Sequence, residues 1–245
     1  MNTPIVNAGL KYVNGLDLTR ASATTITATS GAARDSTNVN DIVSDSTLTF
    51  TSTSVGANGM DIAAVVASTR YYIYIIGDST GYSDTALLGS LASNSAPSLP
   101  GSYDMYRRIG YFLTDGSADI LQFWRYGNGQ IRVHYYDVGI SELSGGSSTT
   151  YANVDLAISV PAVATQVIFD ISYTPNAATN DAQFLPYGSA ASNGIVRFGC
   201  GVAAEQTGQI TVPCALNSGV PTIQYKVAAS DALTLLTTGF YDYLS

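Results

Sequence analysis

The sequence predicts an all-β protein, an antiparallel β-sandwich or jelly-roll-like fold built as one large domain or as two β units, and three observations carry this reading. Runs of strand length, rich in Val, Ile, Thr, Tyr and Phe, recur from one end to the other. No segment carries the 3.6-residue apolar period of an amphipathic helix. Clusters of Gly, Ser, Asn and Pro separate the runs, as tight turns require. With 245 residues, 46% of them hydrophobic, the chain has enough apolar material for a sizeable core.

Residues 1–20 read as an N-terminal arm, either an extended anchor or a disordered tail, followed by a first strand. Residues 21–140 read as a β-sandwich. Its opening stretches, 23–29 and 46–54, alternate with period two but are Thr- and Ser-rich, and the polar residues 32–45 between them read as a turn-rich loop. Such light strands bury little by themselves, so a neighbouring subunit is expected to cover them.

The strongest strands are expected at 71–76, 108–112, 120–126, 130–136, 165–173 and 222–227. Residues 93–101, with Pro97 and Pro100, read as an extended loop. Gly127, Asn128 and Gly129 stand between two strand-like runs and supply the positive φ of a hairpin turn. In the second arm Ile131, Val133 and Tyr135 alternate with Arg132, His134 and Tyr136, which predicts one apolar and one polar face. Residues 141–150, with Gly145 and Gly146 among serines and threonines, read as a linker or long loop. Residues 151–245 then form a second β unit or continue the same sandwich.

Composition removes several functions. The 18 acidic residues outnumber 10 basic ones, and the lysines Lys11 and Lys226 with eight scattered arginines form no run able to neutralise phosphates, so no nucleic acid is expected as a partner. No apolar run approaches the ~20 residues of a membrane-spanning helix, and residues 1–10 lack the pattern of a signal peptide, so no membrane insertion is expected. Cys200 and Cys214 match no zinc or redox spacing and read as buried free thiols, with a disulfide as the alternative. Two lysines are few for guarding exposed sheet edges, which implies barrel closure or, preferably, neighbouring subunits.

Candidate chemistry is sparse. Gly77-Asp78-Ser79-Thr80-Gly81 fits the G-x-S-x-G elbow of hydrolases and follows a strand, but no helix pattern follows it. The single histidine, His134, lies mid-strand and reads as a strand residue, not as the base a serine nucleophile needs. Aspartates within 35–41 lack the spacing of a calcium loop, and the only glutamates, Glu142 and Glu205, single out no acid/base pair. No catalytic residue, metal or cofactor is expected. The 17 tyrosines suit contact surfaces, and Trp124, Tyr135 and Tyr136 are the first candidates for glycan or subunit contacts.

One stretch resembles a known module. Residues 70–123 combine an aromatic strand (71–76), a Pro-x-x-Pro-x-x-Tyr loop (97–103), an RRIG strand (107–110) and a TDGS turn (114–117). This combination is similar to a module of phage and prophage virion proteins, often tail-fibre or structural components, and residues 15–42 resemble the segment that precedes it there. The resemblance implies a virion structural role on the particle surface, with assembly in the host cytoplasm and no catalytic residues. It leaves capsid decoration, head fibre and tail component open, although no collagen-like or coiled-coil shaft is present. The expected partners are further copies of the chain, as a trimer, and other phage proteins such as the major capsid or tail protein. The alternative is a receptor-binding module for a host surface glycan.

Overall fold

The computed structural model describes residues 12–80, 84–92, 96–127, 131–190, 194–199 and 201–243. Among them are twenty strands and no helix, and every strand pairing of described register but one is antiparallel. The chain is all-β and sandwich-like. It divides into two units, one formed by Met1–Arg132 with Asp242–Ser245, the other by Val133–Tyr241. The expected N-terminal arm, Cys200 and the tip of the hairpin, residues 128–130, lie outside the described residues.

In the first unit, β1 (Val13–Gly15), β4 (Gly31–Arg34) and β5 (Asp41–Ser44) form one sheet, and β2 (Leu18–Arg20), β3 (Thr25–Ala28) and β6 (Leu48–Thr51) a second. A third runs in the order β10 (Met105–Leu113), β8 (Arg70–Gly77), β9 (Thr85–Ser90), β7 (Gly59–Met60). β11 (Phe123–Tyr126) completes the set. The light strands need no foreign cover for their inner face: Ile26, Ala28, Ile42 and Phe50 enter one core with Ile73, Ile75, Leu87, Ile109 and Phe112. The expected loop at 32–45 contains β4 and β5, and Asp35 shapes the connection between them, accepting from Val39 N (2.8 Å) and Asn40 N (3.1 Å).

β8 is buried on both faces, which its near-continuous aromatic and aliphatic run foreshadows. One face adds Tyr71 to the core, stacked on Phe112 at 5.2 Å between centroids. The other sets Tyr72 edge-on to Tyr111 at 5.0 Å. β10 lies at the end of its sheet, but its outer edge is covered: Ser36 N donates to Tyr106 O (2.8 Å), Leu121 N to Leu113 O (2.8 Å), and Arg125 Nη1 to Ile109 O.

In the second unit, β12 (Ile131–Gly146), β20 (Ala232–Tyr243), β14 (Gln166–Thr174) and β17 (Gln206–Pro213) follow one another in one sheet. β13 (Ala152–Asp155), β19 (Val220–Lys226), β15 (Asp181–Pro186) and β16 (Val196–Gly199) form the other, with β18 (Ala215–Asn217) also on β19. Buried faces supply Phe169, Ile171, Tyr173, Leu233, Leu235 and Phe240 from the first, and Val154, Phe184 and Ile223 from the second.

Two expectations are corrected here. Residues 141–146, read as the start of a linker, are strand, the end of β12. Their small residues serve packing and not flexibility: a Cβ on Gly146 would sit 2.6 Å from Leu143 Cδ2 and 2.8 Å from Tyr225 Oη. The faces of 131–136 are also inverted. Arg132, His134 and Tyr136 are buried, whereas Ile131 is 51% exposed. Contacts hold these side chains on the buried face: Arg132 donates to Gly15 O (2.6 Å), the His134 ring stacks on Phe240 (4.9 Å), and Tyr136 Oη donates to Ser159 O (2.6 Å).

Candidate assembly surface

Residues 61–68 of the first unit, DIAAVVAS, run over the surface without strand structure, yet six of the eight are apolar. Val65 turns inward against the core, while Ile62 is 72% exposed and Val66 58%. The segment is nonetheless fixed. Asp61 N donates to Gly89 O (2.8 Å), Val66 N to Tyr71 Oη (2.8 Å) and Ser68 N to Asp115 O (2.8 Å). Thr114 Oγ1 donates to Val66 O (2.6 Å) and accepts from Thr69 N (3.0 Å).

Opposite this segment, Leu91 (62% exposed), Ala92, Ala96 and Ser98 form a second wall, and Met60 and Tyr71 lie between, enclosing an open groove of about 420 Å³. That wall is tied down as well: Tyr74 Oη donates to Ala92 O, and Ala92 N donates to Ser90 Oγ (3.0 Å). Asp61, the charged residue of the lining, accepts from Ser90 Oγ (2.5 Å) and Ser98 N (3.3 Å). The result is a concave, largely apolar and pre-organised surface, suited to bind another apolar surface, with its one carboxylate, Asp61, held by Ser90 and Ser98.

The G-x-S-x-G segment serves as a connection. Ser79 N donates to Asp104 Oδ1 (2.8 Å) and Ser79 Oγ to Asp104 Oδ2, while Thr80 N donates to Asp78 Oδ1 (2.7 Å), a side-chain-closed turn after β8. The strand that follows, β9, runs back antiparallel along β8. Burial, with Asp84 and Asp78 nearby, raises the Tyr103 phenol above its ordinary range. Among the described residues no group of three His, Cys, Asp or Glu side chains is placed to hold a metal ion. Asp35, in the stretch weighed for calcium, spends its oxygens on its own loop.

Behind the groove, the RRIG strand anchors the unit. Arg107 donates to Arg34 O and Asp35 O, and Arg108 Nη1 to Asp242 Oδ1 (2.9 Å). Asp242 Oδ2 accepts from Arg125 Nη2 (2.7 Å). Burial outweighs that attraction and brings the Arg125 guanidinium down to about 10. Ile109 fills the core, and Gly110 leaves room for Arg125 to cross the strand: a Cβ there would meet Leu18 Cδ1 at 2.5 Å and collide with the guanidinium.

Of the contact residues named from sequence, Trp124 on β11 is 43% exposed. Tyr135 is half-buried, and Tyr136 is buried at 6% with its hydroxyl on Ser159 O, so it presents no surface. Trp124 belongs to the first unit and the two tyrosines to the second. The outward neighbour of Trp124 is Tyr126, two residues on along β11 and 60% exposed.

No family model matches the sequence, and no curated protein matches it. Among solved structures, one described as "Structure of infectious bursal disease virus Gx strain" is similar at 12% identity and a TM-score of 0.23, covering 100% of this chain and 74% of that one. At that score the likeness carries no argument about this chain.

Sequence reasoning missed the groove. The signal was available in Ile62-Ala63-Ala64-Val65-Val66-Ala67, an apolar run with neither a period-two alternation nor an aromatic residue. Such a run fits no half-buried strand.

Proposed function

We propose that this protein is a structural component of a tailed-phage particle surface, assembled in the host cytoplasm and acting without catalysis through assembly contacts with the major capsid or tail protein. The observation that carries the reading is the fixed apolar groove with Ile62, Val66 and Leu91 on its rim. Apolar side chains held rigidly in water have no role within the unit, whereas a particle surface would bury them at little cost in ordering. The residues behind the phage-module resemblance also build this surface: Tyr71 of the aromatic strand, and Thr114 and Asp115 of the TDGS turn, hold the segment in place.

Co-sedimentation of the purified chain with particles assembled without it tests the reading. Wild-type protein pellets with the particles, and the pair Ile62→Asp and Leu91→Asp, folded by circular dichroism, stays in the supernatant. No pelleting of the wild type with capsids or tails, or equal pelleting of the variant, overturns it.

A second reading rests on Trp124 and Tyr126, two exposed aromatic residues spaced to share one face of β11. They offer a stacking platform for a sugar ring of a host surface glycan. Saturable change of the single-tryptophan fluorescence on glycan titration, lost in Tyr126→Ala, supports that reading, and an unresponsive tryptophan removes it.

A further inference from the structure

We infer that β17 (Gln206–Pro213) is a self-association edge, pairing antiparallel with the β17 of a second copy to join two sheets into one. The sheet order ends on β17, and its described ladder partner is β14 on one side only, from Gln166↔Pro213 to Tyr173↔Gln206. An edge of this length exposes a row of backbone donors and acceptors, and proteins ordinarily blunt such edges with Lys, an inward charge, a bulge or a proline. The strand QTGQITVP carries no charge, and its proline stands at the far end.

The choice of a second copy as occupant follows from the strand itself. Antiparallel pairing of one strand with its own copy is two-fold symmetric, so every contact is made twice and the strand is its own complement. Pairing sets side chains directly opposite one another, where like charges repel. Here the outward side chains Thr207, Gln209 and Thr211 are neutral and exposed. The neighbouring charges are tied within the chain: Asp170 accepts from Gln209 Nε2 (3.2 Å) and Glu205, just before the strand, from Ser172 Oγ (2.6 Å). On the inner face Ile210 is only half-buried at the sheet margin, and an added strand covers it. Two-fold pairing yields an even-numbered oligomer in place of the trimer expected from the sequence.

The test is the mass of the full-length protein by light scattering across a concentration series. Wild type gives a dimer, and Thr207→Lys together with Thr211→Lys, which places like charges across the two-fold, weakens association at least about ten-fold while leaving the circular dichroism spectrum intact. As a second measurement, Thr207→Cys, Gln209→Cys and Thr211→Cys, each alone in a chain carrying Cys200→Ser and Cys214→Ser, report the geometry: oxidation links copies through the position nearest the two-fold. A monomer at all concentrations, a trimer, or a dimer indifferent to the Thr207→Lys and Thr211→Lys pair overturns the inference. Because Ile62→Asp leaves β17 untouched, loss of particle binding and loss of self-association are read separately.

Discussion

Asp242 Oδ2 lies 2.7 Å from Arg125 Nη2, and its other oxygen lies 2.9 Å from Arg108 Nη1, with all three side chains withdrawn from solvent. One carboxylate therefore compensates two buried guanidinium groups, and Tyr111 Oη adds a hydrogen bond at 3.1 Å. Removing one partner of such a group strands the others without water. Asp242→Ala is expected to cost about 3–5 kcal/mol of stability, measured as the shift in urea unfolding. A loss under about 1 kcal/mol would mean that water replaces the carboxylate.

Gly110→Ala tests the crossing of Arg125 over the RRIG strand. The added methyl must displace both Leu18 and the guanidinium, an overpacking change expected to cost about 1–3 kcal/mol. A melting temperature equal to wild type would show that both side chains give way freely.

Acid should weaken both units through named carboxylates. Burial alone would raise Asp35, but hydrogen bonds from Thr37, Asn40 and Val39 hold it below the ordinary aspartate value. Asp231 follows the same pattern, with burial overcome by Tyr173 Oη, Asn176 N and Asn180 Nδ2. A depressed folded-state value means stability that is present above the unfolded aspartate pKa near 4 and lost as pH falls through the lower folded value. Thermal midpoints should fall as pH drops below the ordinary aspartate value of about 4, and less steeply in Asp231→Asn. An equally steep profile in that variant would assign the acid response elsewhere.

Cys214 is a buried free thiol whose Sγ contacts Ala164 O at 3.5 Å, and burial pushes it up to about 11. In a Cys200→Ser chain it should resist a thiol reagent at pH 8 and react at once in denaturant. Stoichiometric labelling of the native protein would contradict its placement.

The fold class was legible because long β-branched and aromatic runs leave few alternatives: β8, β10 and β14 fall where residues 71–76, 108–112 and 165–173 place them. The faces of β12 were not legible. Arg132 and Tyr136 are polar by composition, and their acceptors, Gly15 O and Ser159 O, lie 117 and 23 residues away. Periodicity reads only neighbours. Residues 141–146 show the same limit, since glycine beside serine looks like a linker until Tyr225, paired opposite Ala152 on β13, closes over Gly146. The groove escaped for the converse reason: apolar residues 62–67 would all be assigned inside by composition, yet only Val65 turns in, while Tyr71 and Thr114 fix the backbone at Val66 and Ile62 and Val66 stay exposed.

The first unit borrows Asp242 from the far side of Val133–Tyr241. On a translating ribosome, Arg108 and Arg125 emerge long before the carboxylate that neutralises them. At 5–20 residues per second the interval is roughly 6–27 s. Through that time the early sheets must wait half-built, with two cations that cannot yet be buried. A nonsense codon just before 242 would thus cripple the portion of the protein synthesised first.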